Sequence, residues 1–111
     1  MRSQPHKNLS VCEIQKSMQQ LLVSGQFRLE DVAREVDLSP RSLQRLLAAE
    51  GTSYSILLNR VRMIRACQLL SGSGTEIQKI AIVVGFSSPC TFSRAFQRWA
   101  GISPREYRNS L

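Results

Sequence analysis

Ser39-Pro40-Arg41-Ser42-Leu43-Gln44-Arg45-Leu46-Leu47 and Ser88-Pro89-Cys90-Thr91-Phe92-Ser93-Arg94-Ala95-Phe96 are two copies of one pattern, 49 positions apart in a chain of 111 residues. Each copy describes the same short helix. Its first Ser caps the free N–H groups, its Pro suits the first helical position, and two large apolar residues follow four apart. Those apolar residues face a core. The Arg comes two positions after the first of them and so projects from the opposite side, toward solvent or a partner. Two helices with a matched Arg imply two equivalent contacts with one repetitive, anionic ligand.

Outward from these copies, apolar residues recur at three and four positions and strand signals are nearly absent, so the chain is expected to be all-α. Residues 9–23 carry Val11, Ile14, Met18, Leu21 and Leu22 on one stripe, with Gly25 as a stop. Leu29, Val32, Ala33 and Val36 mark a short second helix ending near Asp37, and Ser39 opens a third that runs to about Glu50. Two short helices joined this closely form a helix-turn-helix. A longer helix follows, with one stripe through Leu57, Val61 and Ile64 and another through Met63, Cys67 and Leu70. Two stripes imply two neighbours, so it is expected to be a linker helix roughly 27 Å long. Ser71-Gly72-Ser73-Gly74 ends it.

Thr75-Glu76-Ile77-Gln78 then reads as a capping box, with Ile77, Ile80, Ala81 and Val84 as the apolar face behind it. The outer helix from Ser88 is expected to turn Phe92, Ala95, Phe96 and Trp99 inward and to close at Gly101. Ser103-Pro104-Arg105-Glu106 is a further capping box, opening a last helix that Tyr107 pins to the core. The expected division is a polar leader at 1–8, a first helix-turn-helix at 9–52, the linker helix at 53–71 and a second helix-turn-helix at 75–110. Val32-Ala33 corresponds to Ile80-Ala81 at a shift of 48, which places Asp37 and Gly85 at equivalent turn positions that require positive φ.

Fifteen Lys and Arg against eight Asp and Glu give a net charge of +7, and the pI is near 10.2. That balance suits nucleic acid. No apolar run approaches the roughly 20 residues of a membrane span, and the polar N-terminus has no signal-peptide pattern, so no membrane partner and a cytoplasmic location are expected. Cys12, Cys67 and Cys90 are odd in number and form no C-x-x-C, and His6 is the only histidine. These exclude a disulfide framework, a metal site and a catalytic triad, and no cofactor is implied. The carboxylate pairs Glu30–Asp31 and Glu35–Asp37 read as a solvated helix face, so an enzyme is not expected.

With Ser39 and Ser88 as N-caps, Arg41 and Cys90 take the second helical position, Gln44 and Ser93 the fifth, and Arg45 and Arg94 the sixth. A helix of this size fits the major groove of B-DNA, where Arg pairs with guanine and Gln with adenine. Arg41, Gln44 and Arg45 make a coherent reading set for double-stranded DNA; a solvated, salt-bridged face is the plain alternative. Ser39, Ser88 and Thr91 stand where hydroxyls and free N–H groups meet phosphate oxygens, or simply cap. Arg60, Arg62 and Arg65 on the linker helix, and Arg98, Arg105 and Arg108 near the end, are candidates for attraction to the phosphate backbone, Arg98 foremost. Cys90 reads as a small filler at the groove edge, and Phe92, Phe96 and Trp99 as core residues and not base-stacking platforms.

Ile80-Ala81-x-x-Val84-Gly85-Phe86-Ser87, Phe92-Ser93-Arg94-x-Phe96 and Gly101-Ile102-Ser103-Pro104-x-Glu106-Tyr107-Arg108 resemble the C-terminal signature of the AraC/XylS transcription regulators. The resemblance runs from about residue 9 to 110 and includes Arg62, Ala66 and Leu43-Gln44-Arg45. It implies about seven helices, with two helix-turn-helix units placing their outer helices in successive major-groove segments one turn apart. Base contacts carry over to Arg41, Gln44 and Arg45 and to Pro89, Cys90 and Arg94. The implied role is bacterial transcription regulation with RNA polymerase as a partner. Many relatives carry polar side chains where Pro89 and Cys90 stand, so the first recognition helix is expected to contribute more base specificity and the second more backbone positioning. Ala100 replaces a common aromatic residue, which leaves Trp99 to fill that space. Most members also carry an effector or dimerisation domain ahead of this one, and this chain is expected to be the DNA-binding part of such a regulator. The rival reading is a basic helical module that binds an acidic protein partner.

Overall fold

The computed structural model describes residues 9–111, and every regular element among them is helical. In chain order these are α1 (Val11–Val23), α2 (Leu29–Glu35), α3 (Pro40–Ala49), α4 (Tyr54–Gly72), α5 (Ile77–Val83), α6 (Pro89–Ala100) and α7 (Pro104–Asn109). The expected leader at 1–8, with His6, lies outside the described residues. Two compact units divide between Val61 and Arg62, inside α4.

In the first unit, α1 opens on a capping box that the sequence reading overlooked. The Ser10 hydroxyl accepts from the Glu13 N–H at 3.2 Å, and the Glu13 carboxylate accepts from the Ser10 N–H at 3.1 Å. Between α2 and α3 the chain turns at Asp37, which holds φ at 61° and is the one non-glycine residue with positive φ among those described. An Asp tolerates this left-handed conformation better than most side chains, and the Leu38 N–H closes the turn on the Ala33 carbonyl at 2.9 Å. Ile14, Met18, Leu22, Val32, Ala33, Leu43, Leu47, Leu57 and Val61 form the core, each 3% exposed or less. Tyr54, at the start of α4, donates its hydroxyl proton to the Phe27 carbonyl and so ties the loop before α2 to that helix.

The second unit repeats the plan with aromatic filling. Its core holds Met63, Ala66 and Leu70 from α4, Ile80, Ala81 and Val84, and Phe92 and Phe96 from α6. Phe86, Phe92, Phe96 and Tyr107 follow one another at centroid distances of 5.5, 5.8 and 5.7 Å in tilted or edge-on pairs, the geometry that aromatic quadrupoles favour. Gly85 holds φ at 98°, and the Phe86 N–H bonds the Ala81 carbonyl at 2.9 Å, matching the Asp37 turn.

Two expectations are corrected here. Thr75 does not cap α5: its Oγ1 lies 2.9 Å from Ser73 Oγ, and the helix starts after Glu76, which makes no side-chain cap bond. The cause is α4, which runs on to Gly72 and draws the Ser73 hydroxyl onto the Leu69 carbonyl at 2.7 Å, and Thr75 with it. Trp99 is not a core residue either. It is 43% exposed, and its ring meets Phe96 in a tilted pair at a centroid distance of 6.0 Å. The same Phe96 ring takes Tyr107 of α7 edge-on at 5.7 Å.

Candidate nucleic-acid interface

Both outer helices are held from behind by a fully buried apolar pair, Leu43 and Leu47 in α3 and Phe92 and Phe96 in α6. Burial of each pair fixes which side faces out. At 100° per residue, Arg41, Gln44 and Arg45 fall within one arc of about 100° on α3, and all three are exposed. On α6, Pro89, Cys90, Thr91, Arg94 and Arg98 are exposed and Ser93 is half-buried. None of Arg41, Arg45, Arg94 and Arg98 forms an ion pair among the described residues, where the salt bridges join Arg28 to Glu30 and Arg34 to Asp31. Guanidinium groups left without a carboxylate are available to an external anion.

The helix starts are matched in detail. Ser39 Oγ accepts from the Ser42 N–H at 3.1 Å and Ser88 Oγ from the Thr91 N–H at 3.1 Å, as expected of N-caps. In each case the capping hydroxyl also meets the hydroxyl at the third helical position, Ser39 with Ser42 at 3.0 Å and Ser88 with Thr91 at 2.9 Å. When Ser39 spends its proton on Ser42, the Ser42 hydroxyl keeps its own proton for an outside acceptor such as a phosphate oxygen. Ser42 did not stand out in the sequence as a candidate although the repeat itself marks it, since Thr91 is its counterpart.

Two of the cations considered for backbone attraction point elsewhere. The Arg62 guanidinium lies 5.2 Å from the Phe86 ring centroid, a cation–π contact inside the second unit. Arg108 donates to the carbonyls of Leu70 at 3.0 Å and of Leu69 and Ser73 at 3.3 Å, closing the C-terminal end of α4. Arg60 and Arg105 remain exposed, and Arg65 bonds Gln68 at 3.2 Å. Phe92 and Phe96 are fully buried, which removes them as stacking platforms for bases. No group of three or more His, Cys, Asp and Glu among the described residues is placed to hold a metal ion.

A helix-turn-helix domain family matches residues 32–110. A transcriptional regulator of Chromobacterium violaceum with an AraC-type DNA-binding domain superposes with a TM-score of 0.79 at 32% identity, covering 89% of this chain and 88% of that one. The chain belongs to the AraC-type helix-turn-helix family. An uncharacterised HTH-type transcriptional regulator of Mycobacterium tuberculosis is 46% identical over 85 residues, which are 76% of this chain and 25% of that protein. The AraC-type chain thus spans about a quarter of the length of such curated relatives. The DNA-binding domain of AdpA, solved with a target DNA, superposes with a TM-score of 0.68 at 27% identity, covering 87% of this chain and 90% of that one. The AraC-type family match begins in α2, so α1, with its capping box, precedes the matched residues.

Proposed function

We propose that this AraC-type domain binds double-stranded DNA sequence-specifically to regulate bacterial transcription, with each recognition helix entering a major-groove segment and the two segments one turn apart. One observation carries this reading: Arg41, Gln44 and Arg45 share one exposed arc of α3, with both arginines outside any ion pair among the described residues. Arg offers guanine O6 and N7 a bidentate contact, and Gln does the same for adenine N6 and N7. On α6, Arg94 reads a base, Pro89 and Cys90 touch base edges, and Ser39, Ser88, Thr91 and Arg98 meet phosphates. The net charge of +7 favours the duplex by counterion release. The DNA complex of the AdpA domain supports the same use of this fold.

The domain acts by binding, without catalysis or cofactor, in the cytoplasm. Among the described residues no helix is long and apolar enough to cross a membrane. RNA polymerase is the proposed protein partner, and the greater length of the curated relatives supports an effector or dimerisation domain working beside this one. The linker role of residues 53–71 between subdomains 9–52 and 75–110 belongs to the same proposal. Titration of the chain against random and selected duplexes at two salt concentrations tests it. The expected result is about a 10³-fold preference or more for selected sequence, with affinity falling steeply as salt rises. Equal affinity for both duplexes would overturn sequence specificity, and no duplex affinity at moderate salt would favour an acidic protein partner.

A further inference from the structure

We infer that α3 and α6 are interchangeable reading frames, and that α6 reads fewer bases only because Cys90 and Ser93 stand where α3 carries Arg41 and Gln44. This rests on the DNA-binding reading above. The frames agree at the cap bonds, at the first helical residue and at the buried pair behind them. Each has a Ser N-cap bonded at 3.1 Å to the third N–H and a hydroxyl pair at 3.0 or 2.9 Å. Each starts with Pro and is backed by two fully buried residues four apart. The turns before them close on equivalent carbonyls, Ala33 and Ala81, both at 2.9 Å. The second turn is one residue longer, and its N-cap takes φ −151° where the first takes −72°. That residue alters the approach to the cap and leaves the cap bonds unchanged.

The difference therefore lies in the side chains. A thiol is a weak, short donor, and a Ser hydroxyl both donates and accepts, so neither discriminates among base edges as a bidentate Arg or Gln does. Charge compensates for what is lost in reading. Residues 62–111 hold seven Lys and Arg against two Asp and Glu, a net +5, whereas residues 1–61 hold eight against six, a net +2. The second unit holds the backbone and the first reads the bases.

Selection from duplexes randomised at both half-sites, with the full chain, tests this. The wild type should show sharp preferences at the half-site read by α3 and a single one, from Arg94, at the half-site read by α6. The double variant Cys90→Arg/Ser93→Gln should give the second half-site the preferences of the first, each favoured base rising by about 5- to 150-fold over its competitors. Both positions lie on the outward side, Cys90 exposed and Ser93 half-buried, so neither change buries a polar group. The reciprocal variant Arg41→Cys/Gln44→Ser should flatten the first half-site, and it decides the matter if the graft fails to fold. Equally sharp wild-type half-sites, a folded graft that gains no preference, or a reciprocal variant that keeps its preference would each overturn the inference. A wild type that enriches no sequence at all would instead overturn the DNA-reading function beneath it.

Discussion

The Arg108 Nε lies 3.0 Å from the carbonyl oxygen of Leu70, 38 residues earlier in the chain. With its Nη2 on Leu69 and Ser73, one guanidinium satisfies three carbonyls where α4 ends, at the negative end of the helix dipole. Arg108→Leu should cost about 1–3 kcal/mol, read as a lower urea midpoint. An unchanged midpoint would mean that water serves these carbonyls equally well.

Arg45→Ala should weaken binding to a selected duplex by about 1–3 kcal/mol and relax preference at one base position. Its side chain is exposed, so the melting temperature should hardly move. Uniform weakening across all sequences would assign Arg45 to phosphate contact alone.

Arg98→Ala should behave in the opposite way. It sits one turn beyond Arg94, exposed in the last turn of α6, where the equivalent residue of α3 is Ala49. Affinity should fall alike for all sequences, and the slope of log affinity against log salt should shrink by about one. A change in base preference would count against a phosphate role.

Tyr107 carries a pH dependence. Its hydrogen bond with the Cys67 thiol, the charge of that thiol and burial together raise the phenol above its ordinary pKa of 10.0. A group that holds its proton more tightly folded than unfolded contributes stability that is fully present below about pH 10 and lost as pH rises through the folded value. Melting temperatures measured from pH 9 to 11 should fall, and fall less steeply in Tyr107→Phe. Identical slopes would rule this coupling out.

Gly101 closes α6 at φ 86°, its N–H bonded to the Gln97 carbonyl at 2.8 Å. A Cβ added there would meet nothing within 4 Å, so the cost of Gly101→Ala is one of backbone strain alone. That cost should be about 1–2 kcal/mol by thermal denaturation. A neutral result would show that the turn relaxes to negative φ.

What was legible in the sequence was whatever depends on period and on local caps. The two copies of Ser-Pro-x-(Ser/Thr) place α3 and α6 to the residue, and the shift of 48 picks out Asp37 as a left-handed turn beside Gly85. Competition among tertiary partners was not legible. Thr75 matches a capping box, but Ser73 claims it, because where α4 stops depends on packing beyond a local window. Arg62 and Arg108 look like surface cations in one dimension, and only folding brings one onto Phe86 and the other onto the end of α4. Trp99 has core spacing, yet it is 43% exposed, and Phe96 also takes Tyr107 from another helix.

Boundaries between folding units ordinarily fall in exposed linkers, where a protease finds extended chain. Here Val61 is buried in one core and Met63 in the other, two residues apart in an unbroken helix. The seam offers nothing to cut. Limited proteolysis should therefore trim the chain from its ends before it parts the units, and unwinding α4 from either end strips apolar residues first from the core nearest that end. Amide exchange would follow the same order, residues 54–61 opening with one unit and residues 62–72 with the other.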